Sequence, residues 1–409
     1  RLPVTTSALA RGEAVRGEIQ LGHLCNDRCV FCISGHLTHV RQAPLLPLAP
    51  VLDQLARLRA AGVRHLTLLG GEPTVQPIFH AVVERAVELG FAPIVIFSNG
   101  SRLHRAERLE RLLATGGRFE FRFSFQGATR DAHDATTRRP GAFDQILASL
   151  DAVLARGQDA TINTVVLRQN FRSLPRFIEL LATRPVRQLH LDMLHPDDTP
   201  APEGVPLDAM LVRYSALRPV LGELARGIRP PTELTIGNLP PCIAPELAPW
   251  IRHGGVPTET RTAHVNGAAD LNPSWDKYAL KRRGKRKAPG CLRCAHHRTC
   301  SGVFPAYEAR FGLDELAPQR APLHPALARV LRRLVARGPF DELRLAGHAA
   351  RSPERLTLAL AHPDGRVTAF FSVEGGRPRS GYRLAPTARP TPALTAALRL
   401  MFARSRRGG

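Results

Sequence analysis

Short apolar runs and longer amphipathic stretches alternate along the first half of the chain. "EIQLGH" (18–23), "HLTLLGG" (65–71), "APIVIFSNG" (92–100), "FEFRFSFQG" (119–127), "ATINTVVL" (160–167) and "RQLHLDML" (187–194) read as strands. They are short, rich in β-branched and aromatic residues, and mostly closed by glycine or polar positions. Between them, 45–62, 77–90, 105–116, 142–157 and 173–184 repeat apolar residues every three or four positions, which predicts helices. Strands alternating with helices imply parallel pairing and right-handed crossovers. Six such units predict an α/β fold, an incomplete (β/α)6 TIM-like barrel over 16–195. In such barrels chemistry gathers at the C-terminal strand ends. Cys25, "GGEPT" (70–74), "SNG" (98–100), Ser124 and Gln126 all fall there, so they are expected to converge.

The rhythm breaks at "HPDDTPAPEGVP" (195–206), a proline-rich linker. Residues 196–320 then predict a linker and an irregular Cys-rich module. Residues 321–409 predict a small α+β module: a helix near 326–337, strands in "DELRLAG", "RLTLALAHPDGRVTAFFSV" and "SGYRLAP" with a hairpin at 363–365, and a helix near 391–404.

Seven cysteines change the picture, because six of them sit in two tight groups. A disulfide framework would spread them through a small secreted chain. "LCNDRCVFC" places Cys25, Cys29 and Cys32 at CxxxCxxC. Three thiolates can hold three irons of a [4Fe–4S] cluster and leave the fourth open. The alternative is a zinc knuckle completed by His23 or His36. "CLRCAHHRTC" places Cys291, Cys294 and Cys300, and Cys242 makes a fourth thiol. Four sulfur ligands suit zinc or iron–sulfur equally, and His296 and His297 add candidates for zinc.

CxxxCxxC after the first strand, followed by "GGEPT", "SNGSRL", "FSFQGATRDAHDATTRRPGAFDQIL" and "INTVVLRQN", resembles the radical S-adenosylmethionine (radical SAM) superfamily across about residues 16–195. The resemblance implies that Cys25, Cys29 and Cys32 ligate a cluster whose open iron chelates the methionine end of SAM. It places Phe31 near the adenine and the SAM ammonium at Gly70, Gly71 and Glu72. Ser98, Asn99, Ser124 and Asn163 would line the ribose and carboxylate, and Arg138 or Arg139 would pair with that carboxylate. Reductive cleavage of SAM to a 5′-deoxyadenosyl radical, which abstracts a substrate hydrogen, is the implied activity, with a flavodoxin or ferredoxin as electron donor. The second group is similar to the auxiliary-cluster modules called SPASM and twitch, and implies one auxiliary [4Fe–4S] cluster on Cys242, Cys291, Cys294 and Cys300. Phe304 stands where SPASM has a further cysteine, which excludes a two-cluster version. Enzymes with such modules commonly modify ribosomally made peptides, so a peptide substrate is expected. The alternative is a nucleotide or RNA substrate, as in the molybdenum-cofactor cyclases.

A net charge of +22 raises nucleic acid as a partner. The positive charge is almost all arginine, spread along the chain. The four lysines are Lys277, Lys281, Lys285 and Lys287, three of them in "KRRGKRK" (281–287). Solvated arginine on helix faces explains this, and nucleic acid is not favoured. No uncharged apolar run is long enough to span a membrane. The first 17 residues lack the apolar core of a signal peptide. With the grouped cysteines, this predicts a cytoplasmic protein.

Overall fold

The computed structural model describes residues 7–195, 206–252, 256–264, 269–282, 284–319, 327, 330, 343–352, 354–374, 377–386 and 388–406. Most of the expected linker, 196–205, and most of the helix expected near 326–337 lie outside them. The chain divides into two compact units: residues 1–286 with 301–315, and residues 287–300 with 316–409.

The first unit carries one ten-stranded open sheet in the order β10-β9-β1-β2-β3-β4-β5-β6-β7-β8. Its centre is the expected set: β1 (Arg16–Gln20), β2 (His65–Leu69), β3 (Ile94–Ser98), β4 (Phe119–Ser124), β5 (Asp159–Val166) and β6 (Gln188–Met193), all parallel. The sheet does not stop at six strands. β7 (Glu233–Gly237) pairs with β6 and the two-residue β8 (Ile251–Arg252) with β7. On the other edge β9 (Thr258–Arg261) runs parallel to β1, and β10 (Trp275–Asp276) is antiparallel to β9. These strands were illegible because they are short and joined by long irregular connections, so no periodic pattern announces them.

The helices follow their apolar spacing: α1 (Ile33–His39), α2 (Leu48–Ala60), α3 (Phe79–Glu88), α4 (Ala106–Leu113), α5 (Arg130–Thr137) and α6 (Ala142–Leu154). α3 buries Phe79, Val82, Val83 and Ala86, the i, i+3, i+4, i+7 stripe of one face. The helix expected over 173–184 is broken into a 3-10 turn, Phe171–Arg176, and a short α7 (Phe177–Leu181). Pro175 lacks the N–H that a continuous helix would use. α8 (Tyr214–Gly227) lies in a stretch expected to be irregular, and α9 (Lys277–Arg282) and α10 (Pro305–Phe311) follow. Phe121, Phe123, Ile162, Leu189 and Leu191 are fully buried. Each such side chain contributes about 1.5–3 kcal/mol. This row leaves the alternate positions of the same strands to face the barrel interior.

The second unit is an antiparallel sheet of β11 (Arg344–Ser352), β12 (Arg355–His362), β13 (Gly365–Glu374) and β14 (Arg377–Leu384), with α11 (Pro392–Arg406). Its core joins Leu356, Leu358, Leu360, Val367, Ala369 and Phe371 to Leu394, Ala397, Leu398 and Met401. Among the described residues, no helix is long and apolar enough to cross a membrane.

Candidate active site

The C-terminal strand ends open into a cavity of about 510 Å³. Cys25, Cys29, Phe31, Cys32, Gly70, Gly71, Ser98, Asn99, Ser124 and Asn163 line it, so residues scattered over 140 positions meet in one place. Glu72 and Arg138, also expected there, do not line it.

The cysteine loop is held from several sides. The Thr38 hydroxyl accepts from the Cys25 N–H (3.0 Å), and the backbone N–H groups of Arg28 and Val30 donate to the Thr137 and Thr136 carbonyls (both 2.9 Å). Gly71 packs so closely under the loop that a Cβ there would lie 2.2 Å from the Leu24 carbonyl oxygen. All three thiols are free. Burial, reinforced by the charge of Asp27, pushes the Cys25 and Cys29 thiols well above their usual range. Thiolates at this spot therefore call for a nearby cation. The zinc alternative loses His23. Its two ring nitrogens are engaged by the Ser34 hydroxyl (2.8 Å) and the Ala263 carbonyl (3.0 Å).

Glu72 is 1% exposed, and its carboxylate is consumed locally. One oxygen accepts from the Thr74 hydroxyl (2.6 Å), the Thr74 N–H (3.1 Å) and the Ser98 hydroxyl (2.8 Å); the other accepts from the Asn99 N–H (2.7 Å). It ties the "GGEPT" turn to the end of β3. In the loop after β3, Gly100 takes φ 70°, where a Cβ would also meet Ile146 at 2.8 Å.

Arg138 is a correction. It is the left-handed residue that ends α5 (φ 52°), and it lies outside the cavity. Arg139 forms an ion pair with Asp27 and donates to Gln145 (2.7 Å), and its Nη2 is buried without a hydrogen-bond partner. The "HD" landmark is structural as well. His133 Nδ1 accepts the Gln126 N–H (3.1 Å), and burial lowers its pKa to about 4, so the ring is neutral. Asp134 accepts from the Gly141 N–H (2.7 Å) and the Phe143 N–H (2.8 Å), closing the turn into α6.

Gln126 lines the cavity as expected, but the expectations missed much of the far wall: Arg122, Val165, His190, Asp192, Gly237, Asn238, Arg252, Lys277, Tyr278 and Lys285. Strand parity was the available signal. Arg122 is two residues before Ser124, and Val165 two after Asn163. The register aligns Ser124, Asn163, His190 and Thr235 across β4 to β7, and aligns Val165, Asp192 and Gly237 one layer above. Asp192 accepts from the Asn238 amide (2.7 Å), and the His190 ring contacts the Thr235 hydroxyl (2.8 Å). Lys277 donates to both oxygens of Glu18 (3.0 Å each).

Of the second cysteine group, Cys291, Cys294 and Cys300 belong to the second compact unit and Cys242 to the first. The three are set by a tight loop in which Cys294 N–H donates to the Cys291 carbonyl (3.1 Å) and Cys300 N–H to the His296 carbonyl (2.7 Å). His297 Nδ1 contacts the Cys291 carbonyl (3.0 Å).

Residues 19–181, which hold the cysteine loop and the cavity residues Gly70, Gly71, Ser98, Asn99, Ser124 and Asn163, match the model of the Radical SAM superfamily. This segment is a radical SAM domain. GTP 3′,8-cyclase 1 of Pseudomonas aeruginosa is 32% identical over 164 residues, 39% of this chain and 48% of the cyclase. This chain thus spans about half of that relative. The mycofactocin maturase MftC of Mycobacterium tuberculosis is 27% identical over 376 residues, 84% of this chain and 92% of the maturase. The fold is similar to that of Streptococcus suis SuiB bound to its precursor peptide SuiA (TM-score 0.53, 15% identity, 75% of each chain). In the radical SAM domain the family implies SAM and a [4Fe–4S] cluster; Cys25, Cys29 and Cys32 are three free thiols lining one cavity, the donor set such a cluster takes, while among the described residues no three ligating side chains are gathered as tightly as a single metal ion needs.

Proposed function

We propose that this protein is a radical SAM enzyme that modifies a ribosomally made peptide. One observation carries the reading. The similarity to the maturase of M. tuberculosis continues over 84% of the chain, whereas that to the P. aeruginosa GTP cyclase, like those to two other maturases, ends after about 40% of it. Beyond the barrel, then, the chain keeps company with a maturase. The identity to the cyclase, 32% against 27%, is what favours the second reading, a nucleotide substrate.

Cys25, Cys29 and Cys32 would hold the [4Fe–4S] cluster. With SAM bound, that cluster supplies hydrogen-atom abstraction from an unactivated C–H bond. The chain's part is to bind, orient and shield. Phe31 offers an aromatic face, and Gly70 and Gly71 offer backbone without side chains. Ser98, Asn99, Ser124 and Asn163 offer hydrogen bonds along one wall. Glu72 positions that wall from behind. Arg122 lines the cavity near Ser124 and takes the place expected of Arg138 as partner for the SAM carboxylate. An auxiliary cluster on Cys242, Cys291, Cys294 and Cys300 rests on the cysteine spacing. Its expected role is electron transfer, since four thiolates leave no iron open.

The test is 5′-deoxyadenosine release from anaerobically reconstituted protein with SAM and dithionite, first with candidate precursor peptides and then with GTP. A peptide that changes mass as 5′-deoxyadenosine accumulates supports the reading. A cyclised nucleotide from GTP, with every peptide unchanged, overturns it.

A further inference from the structure

The second unit carries a groove that the proposed chemistry does not use. It lies between β14 and α11, holds about 480 Å³, and is lined by Ser380, Gly381 and Tyr382 on the strand and Leu398, Arg399 and Phe402 on the helix, among others. The strand register explains why it is open. Tyr382 pairs with Ala369 across β13 and β14, so the two side chains share a face of the sheet. Ala369 is fully buried under the helix, yet Tyr382 on the same face is 44% exposed. α11 therefore covers β13 and leaves β14 half-covered. The Tyr382 and Phe402 rings, 6.0 Å apart, form an apolar floor.

β14 is also an edge. Among the described residues it pairs only with β13, so its outer backbone groups can accept another strand. Charge selects what comes. Both walls of the groove belong to residues 377–406, a stretch with seven arginines and no aspartate or glutamate. Arg399 stands exposed in the helix wall and Arg383 is exposed on β14. Elsewhere many arginines meet carboxylates within the fold, as Arg57 does Asp53 and Arg184 does Asp151. Within this segment the sequence supplies no carboxylate for them.

We propose that this groove takes an extended acidic peptide segment as a fifth strand on β14. Backbone pairing supplies the affinity. Alternate apolar side chains seat in the groove against Tyr382 and Phe402, and the carboxylates between them point to the opposite face of the sheet, where Arg383 stands, while Arg399 attracts the acidic strand from the groove wall. Only the identity of the natural peptide rests on the proposed function, and binding is measured without SAM or reductant, so failure of one reading is distinguishable from failure of the other.

The experiment uses the full chain and a fluorescein-labelled peptide of about twelve alternating valines and glutamates, long enough for one strand. The valine–lysine counterpart and a single-stranded DNA oligonucleotide of equal charge serve as controls. Anisotropy should show binding of the acidic peptide only, weaker by about tenfold or more in Arg383→Glu/Arg399→Glu and in Tyr382→Ala. Affinity should fall as salt rises from about 50 to 300 mM. Amide exchange in 377–384 should slow on binding. The double charge reversal alters exposed side chains only, so it reads the site even if Tyr382→Ala unfolds. Unchanged binding in that variant, no protection of β14, or equal binding of the lysine peptide overturns the proposal. So does an oligonucleotide that binds as well and is lost with the same arginines. A dimer seen by light scattering and dissolved by Tyr382→Ala would assign the edge to a second copy instead.

Discussion

His133 shows how a motif residue can be indispensable without touching the cavity. Its Nδ1 must stay unprotonated to accept the Gln126 N–H, and burial holds its pKa near 4. The unfolded chain protonates this ring near pH 6.5, so stability is fully present above that value and is lost as pH falls toward 4. Between pH 7 and pH 5 this one group costs about 2 kcal/mol. Urea unfolding at the two pH values should show the drop, and His133→Asn, whose amide oxygen still accepts, should lose that part of it. Gly71 acts by absence. A Cβ 2.2 Å from the Leu24 carbonyl would push the cysteine loop off the "GGEPT" turn. Gly71→Ala should keep its iron, because the three thiols stay on one loop. It should lose SAM binding by tenfold or more, on the order of 1.4 kcal/mol or greater, read by equilibrium dialysis.

At the scale of elements, the loop between α5 and α6 is the part that holds the cysteines from outside. Asp134 closes it by accepting from Gly141 and Phe143, and Arg139 within it grips Asp27. Asp134→Ala should cost about 1–2 kcal/mol, as loss of an N-terminal helix cap does. It should also loosen Asp27, seen as faster loss of iron to a chelator; Asp134→Asn should recover part of both. Of "HDATTRR", expected to supply the cation for the SAM carboxylate, Arg138 takes the left-handed conformation that ends α5 and does not line the cavity. Arg122, one of four cationic residues that line the cavity, sits on β4 in the same parity as Ser124. Alternation makes such residues findable; a motif does not name them.

Across the whole molecule, the proposal that each cysteine group holds its own cluster is testable by iron content. Cys291→Ala/Cys294→Ala should lower the content of reconstituted protein from about eight irons to about four, with SAM binding retained. An unchanged count would dispose of the auxiliary cluster. The strands β1 to β6, their intervening helices and the cysteine loop were legible in the sequence, because period-2 and period-3.6 burial and ligand spacing are local properties that a chain carries in its order. The pairing of β7 with β6 and of β9 with β1 was not. Nor were the placing of Arg122, His190 and Asp192 on one cavity wall, the consumption of Glu72 by Ser98 and Asn99, or the half-covered edge of β14. Each of these is a meeting of residues distant in sequence. Such meetings are settled by which backbone groups find partners and which side chains are left room, and both exist only once the sheet has formed and the helices have packed on it.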